Sequence, residues 1–156
     1  MRGQQTAFTL IELVVTLSII AILAALALPR YIALQTQARA GKAQAIYGGI
    51  KAAAALAHAE ALVTNTVTSG AATIFMETQP VNLINGYPTA DNLGIIAATQ
   101  MNTAADLVAL NGGGAGAGAT LRIDVVGGTP PSCSVFYTSP AAANGSPTFQ
   151  IDTSQC

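Results

Sequence analysis

Residues 8–28 read FTLIELVVTLSIIAILAALAL, a run of 21 residues with one charge, Glu12, and only Thr9, Thr16 and Ser18 as further polar side chains. A helix needs about 20 apolar residues to cross the hydrocarbon core of a bilayer. Ahead of the run lies a polar leader, MRGQQTA, with one basic residue, Arg2, and behind it come Pro29 and Arg30. A basic residue kept on the cytoplasmic side places the N-terminus inside. Three fates fit such a segment. It can be a secretory signal peptide, cut at a small-residue site such as Ala25-Leu26-Ala27. It can be a permanent membrane anchor. Or a short leader is removed and the apolar helix is kept as an assembly element.

Glu12 separates these fates. A charged side chain at the centre of a membrane helix costs about 3 kcal/mol. A signal peptide gains nothing from that charge, and a simple anchor is better served by leucine. The carboxylate makes sense if it has a partner. Cutting between Ala7 and Phe8 creates one, a new α-amino group, which on an incoming copy can pair with Glu12 of its neighbour inside an apolar core.

Composition narrows the function classes. Charged residues are 8% of the 156, with six Lys+Arg against seven Asp+Glu and a net charge of -1. That balance supplies no field to attract nucleic acid. One histidine and seven acids leave little for acid–base catalysis, and the absence of Trp with 5% aromatics leaves few stacking platforms. A disordered polyelectrolyte is excluded by 51% apolar content. Two cysteines are too few for a four-ligand zinc site but can form one disulfide.

From Tyr31 to about Val63 the chain is Ala-rich and free of proline, which favours helix. Ile46, Ile50, Ala53 and Ala57 fall on one stripe at helical spacing, with Lys51 and His58 read as lying on the far side. Joined to the apolar run this predicts a helix of about 55 residues, on the order of 80 Å long. Its first half is expected to protrude, and Pro29, which removes a backbone hydrogen bond, is the expected kink. After Val63, residues 72–78 predict a short strand and Asn85-Gly86-Tyr87-Pro88 a turn. Asp91–Met101 and Thr103–Leu110 predict two short helices, the second capped by Thr103 with Asp106. Residues 112–119 are a glycine-rich loop. Residues 120–126, 133–138 and 148–152 predict three further strands, the first alternating Leu121, Ile123 and Val125 against Arg122 and Asp124. The fold class is α+β: one long N-terminal helix with an antiparallel sheet on its second half.

The segment Ala7 to Leu13, A-FTLIEL, closely resembles the processing motif of type IV pilins and pseudopilins, and the resemblance runs on through residues 14–39, including Pro29. It implies removal of the leader 1–7 by a prepilin peptidase, N-methylation of Phe8, and a pairing role for Glu12 in assembly. Residues 8–30 are then the transmembrane and filament-core helix, and 31–63 the amphipathic helix of the head. Residues 64–119 connect it to a β-sheet at 120–156. One departure is Ala7, where the family usually has glycine; alanine is the next smallest residue, so cleavage is expected. Residues 38–62 and 85–95 further resemble pilins of the mannose-sensitive haemagglutinin class. The implied partners are other copies of the chain, the peptidase and an inner-membrane assembly platform. The implied location is the inner membrane, then a filament outside the cell.

The remaining motifs carry less. A bridge between Cys133 and Cys156 is expected, since it would tie down the end of an exported chain; two free buried thiols are the alternative. Pseudopilins of the family use a calcium site where pilins have a C-terminal disulfide, so the cysteine pair favours a pilin. Gly114-Ala115-Gly116 lacks the Lys-Ser/Thr of a phosphate loop. His58 has no second ligand near it in sequence, and Asp91, Asp106, Asp124 and Asp152 form no calcium loop of the EF-hand type. Asn144-Gly145-Ser146 fits a glycosylation pattern and equally a turn. The expectation is a structural subunit of a type IV pilus for adhesion, motility or both, not an enzyme, with no cofactor, no metal and no nucleic acid. The alternatives are a pseudopilin of a type II secretion system and, from another class, a secreted binding domain with an ordinary signal peptide.

Overall fold

The computed structural model describes residues 8–66, 70–106 and 108–156. The leader and Ala7 lie outside the described residues. The chain forms two units, Met1–Thr36 and Gln37–Cys156. Helix α1, Leu10–Val63, contributes to both, and Pro29 lies inside it.

In the first unit every described residue from Phe8 to Thr36 is exposed. In the second, α1 buries Ala43, Ile46, Ile50, Ala53, Ala54, Ala57 and Ala61, the spacing of one helical face. The four residues of the predicted stripe are all among them. The helix ends as α-helices commonly do. Thr66 N–H donates to Ala61 O at 2.9 Å and Asn65 N–H to Leu62 O at 3.3 Å, with Asn65 at φ 54°. Asn tolerates this left-handed turn better than most residues, and the paired bonds satisfy carbonyls of the last helical turn.

Two antiparallel sheets pack alongside. The first is β1 (Ala71–Met76), β2 (Gln79–Ile84) and β3 (Tyr87–Pro88) in that order. The second is β4 (Val108–Gly112), β5 (Thr120–Val125), β6 (Ser134–Thr138) and β7 (Thr148–Asp152). Ala53, Ala57 and Ala61 pack with Ile74, Val81 and Leu83 of the first sheet. Ala43, Ile46 and Ile50 pack with Leu121, Ile123, Val125, Val135 and Tyr137 of the second. Alanine on the helix lets the sheets approach closely.

The structure departs from the sequence reading in the middle of the chain. Thr103–Leu110 is not a helix. Asn102 accepts from the N–H groups of Ala104 and Ala105 at 3.2 Å each, and its own N–H donates to Asp106 Oδ2 at 3.0 Å, which makes a turn. Val108 and Leu110 then join β4, opposite Val125 and Ile123. Asp91–Met101 is shorter than expected: a π-type turn, Asn92–Ile96, runs into a single α turn, Ala97–Thr99. Asp91 caps it, accepting from Leu93 and Gly94 N–H, and Gln100 at φ 53° ends it. Gly94 is obligatory there, because a Cβ would stand 2.2 Å from Thr89 O. The Asn85-Gly86 turn is as expected, joining β2 to β3 with both residues at positive φ.

A buried hydrogen bond from Tyr137 Oη to Pro88 O, at 2.6 Å, ties the two sheets. Burial first, and Tyr87 second, hold the Tyr137 phenol above its ordinary range. An unfolded tyrosine ionises near pH 10. The folded state therefore keeps the proton where the unfolded state releases it, and stability is intact below that pH and falls as pH rises beyond it. Tyr137→Phe is expected to cost about 1–2 kcal/mol near neutrality, because the buried Pro88 carbonyl loses its donor. The same variant should lose the alkaline decline. Urea unfolding of the purified subunit, near neutrality and again above pH 10, checks both.

Candidate assembly site

Phe8 is exposed ahead of the first helical turn. Thr9 caps α1: its Oγ1 accepts from Glu12 N–H at 3.3 Å. The same hydroxyl donates to Glu12 Oε2 at 3.4 Å. Glu12 thus lies in the first turn, where a carboxylate is favoured by the unsatisfied N–H groups of the helix start. Among the described residues of one copy of the chain, a single long contact with Thr9 bonds that carboxylate. Thr16 and Ser18 bond back to Leu13 O and Val14 O at 2.9 and 2.8 Å, so their hydroxyls are satisfied within the helix.

Around Glu12 the surface is apolar on all sides. Leu10, Ile11, Leu13, Val14, Val15, Leu17, Ile19 and Ile20 are each at least half exposed. The helix is long and apolar enough to cross a membrane. On one side Ala21, Ala24, Ala25 and Leu28 line a shallow apolar concavity ending at Tyr31. Small residues there let another helix come close. An exposed apolar patch of this extent is stable only against lipid or other protein.

Residues 2–28 match the family model described as the prokaryotic N-terminal methylation motif. The N-terminal segment is that of a type IV pilin-like prepilin. No curated protein and no solved structure matches the chain. The prepilin motif implies cleavage by a prepilin peptidase, assembly into a multi-subunit filament, and a structural protein in place of an enzyme. With its apolar helix the chain fits an inner-membrane precursor. The long helix with antiparallel sheets packed alongside is the α+β pilin-like fold.

The structure brings Cys133 and Cys156 together in a disulfide, and both are buried. The neighbourhood is tight: a Cβ on Gly128 would stand 2.6 Å from Cys133 Sγ. Arg39 Nη1, on α1, donates to the main-chain carbonyl of Cys156. The sequence reading did not find this contact, because 117 residues separate the partners.

His58 is also placed differently from expectation. It comes four residues after Ala54 and three before Ala61, which is the buried face. Its ring stacks on Tyr87, centroids 4.1 Å apart, and its Nδ1 lies 2.9 Å from Gly86 O. It is a packing residue under the β2–β3 turn. Asp124, expected on the open side of β5, is buried. It accepts from Arg122, Asn111 and Ser134, the last at 2.6 Å. Alternation predicts the face but not that neighbouring donors will close over it. Asp91 and Asp106 serve the turns described above, and Asp152 accepts from Ser154, first from its N–H, which holds the carboxyl below its ordinary range.

Proposed function

We propose that the chain is the major subunit of an extracellular type IV pilus used for surface adhesion, motility or both. The leader 1–7 is removed between Ala7 and Phe8. Phe8 supplies a methylated amine, and Glu12 of a neighbouring copy pairs with it. Residues 8–30 pack as the filament core, and 31–63 carry the head. The observation that carries the reading is the lone, weakly bonded Glu12 carboxylate in the exposed apolar first half of α1. Such a charge is stabilised only when an opposite charge reaches it in the same apolar surroundings. The Cys133–Cys156 bridge supports a pilin over a pseudopilin, which would hold the same region with a metal.

Electron microscopy of fibres sheared from the cell surface, with the subunit's N-terminus sequenced, tests this. Fibres of subunits starting at methylated Phe8 are the expected result. Processed subunit confined to the cell envelope, with no fibres, would move the chain to the pseudopilins. A mature protein starting near residue 28 would make the segment an ordinary signal peptide.

Ala7 carries a separate prediction. A peptidase that accepts only small residues before the cut should process Ala7→Gly at least as fast as the parent and leave Ala7→Leu uncut. Pulse labelling of the precursor reads the result. Unchanged processing of Ala7→Leu would mean that the cut lies elsewhere.

A further inference from the structure

The chain contains three Asn-Gly pairs, Asn85-Gly86, Asn111-Gly112 and Asn144-Gly145. In each the following residue has no Cβ to shield its backbone nitrogen. That nitrogen can attack the asparagine Cγ. The new N–C bond closes a five-membered imide, and the side-chain nitrogen departs as ammonia with the proton released by the attacking N–H. Water then opens the ring at either carbonyl, leaving aspartate or isoaspartate. No oxidant or enzyme is needed.

The structure treats the three pairs unequally. The Asn85 side chain is held at both ends, accepting from Gly70 N–H at 3.2 Å and donating to Pro140 O at 3.0 Å. Gly86 beside it is buried. Asn111 donates to Asp124 Oδ2 at 2.5 Å, and both Asn111 and Gly112 are paired within the second sheet. The bond to Asp124 fixes the Asn111 side chain and keeps its Cγ from turning onto the next nitrogen. Asn144 is exposed in the turn between β6 and β7, and among the described residues no hydrogen bond holds its side chain. One bond restrains its neighbour, Gly145 N–H to Ala142 O at 3.1 Å. A single bond at an exposed turn opens readily.

We propose that Asn144 is a site of spontaneous deamidation in the folded protein, and that Asn85 and Asn111 are protected by the fold. Each conversion adds one negative charge to a chain whose formal net charge is -1. The added charge lies on an exposed turn, so it changes the surface without touching the core. The proposal does not depend on the fibre being a pilus.

The test is prolonged incubation of the folded subunit at neutral to mildly alkaline pH, followed by isoelectric focusing and peptide mass mapping. An acidic form should accumulate, with conversion at Asn144 about tenfold or more faster than at Asn85 or Asn111, given the bonds that hold the latter two. Asn144→Asp should migrate with the acidic form from the start. Asn144→Gly suits the positive φ of 62° at this position and should give no early acidic form. In concentrated urea the three sites should convert at similar rates, since the protection belongs to the fold. Folded protein in which Asn144 stays intact, or converts no faster than Asn85 and Asn111, would overturn the proposal.

Discussion

Replacing Glu12 with alanine is expected to leave a subunit that inserts in the membrane and is cleaved, yet forms almost no fibres. Two roles for Glu12 predict very different losses. As a first-turn acid of α1 it contributes about 0.3–1 kcal/mol to the helix, too little to stop polymerisation. As the partner of a buried α-amine it does far more, since stranding one member of a buried pair costs about 3–5 kcal/mol. At about 1.4 kcal/mol per tenfold, that weakens each subunit addition roughly a thousandfold. Glu12→Asp keeps the charge but sits a methylene short, and should give intermediate numbers of fibres. Glu12→Gln keeps the size and loses the charge, and should resemble alanine. Fibre counts by microscopy, set against processed subunit in membranes, read the outcome. Normal fibre numbers from Glu12→Ala would refute the pairing.

Both ends of the long helix were legible because local chemistry states them. The apolar run, the Ala-rich stripe from Ile46 to Ala57 and the polar shift after Val63 each follow from periodicity. The motif at Ala7–Leu13 is legible because a charge, Glu12, stands in an apolar run where a membrane helix alone would carry none. The centre was not, since its elements depend on partners distant in sequence. Strand β2 went unread because Pro80 sits near its start and the β1–β2 turn, Glu77-Thr78, lacks glycine although both residues have positive φ. Val108 and Leu110 alternate like a strand, but Thr103 and Asp106 suggest a helix start. Only pairing with β5 decides between them. His58, read from the stripe of Ile46, Ile50, Ala53 and Ala57 as lying on the far side, stands four residues after Ala54 and three before Ala61, which puts it beside the buried face.

The second large effect concerns the bridge in the head. The sequence separation of Cys133 and Cys156 is 23, and closing such a loop restricts the unfolded chain by about 3 kcal/mol. The bridge also secures a segment held otherwise by few bonds. Gln155 N–H donates to Ser132 O at 2.9 Å and Thr129 N–H to Gln155 O at 3.1 Å, while Arg39 reaches the Cys156 carbonyl from α1. With β7 only partly buried, little apolar contact is in reserve. Domains of this size are stable by about 5–15 kcal/mol in total, so a loss of 3 is a large share. Cys156→Ser, and the double variant Cys133→Ala/Cys156→Ala that leaves no free thiol, should each melt about 10 °C lower than the parent. Both should still insert and be cleaved, because neither cysteine lies in the apolar helix, and both should show fewer surface fibres. Melting of the purified subunit by circular dichroism measures the shift. Thiol labelling of the parent under denaturing, non-reducing conditions should find no free thiol. Melting curves identical to the parent would show that the head holds its last strand by packing alone.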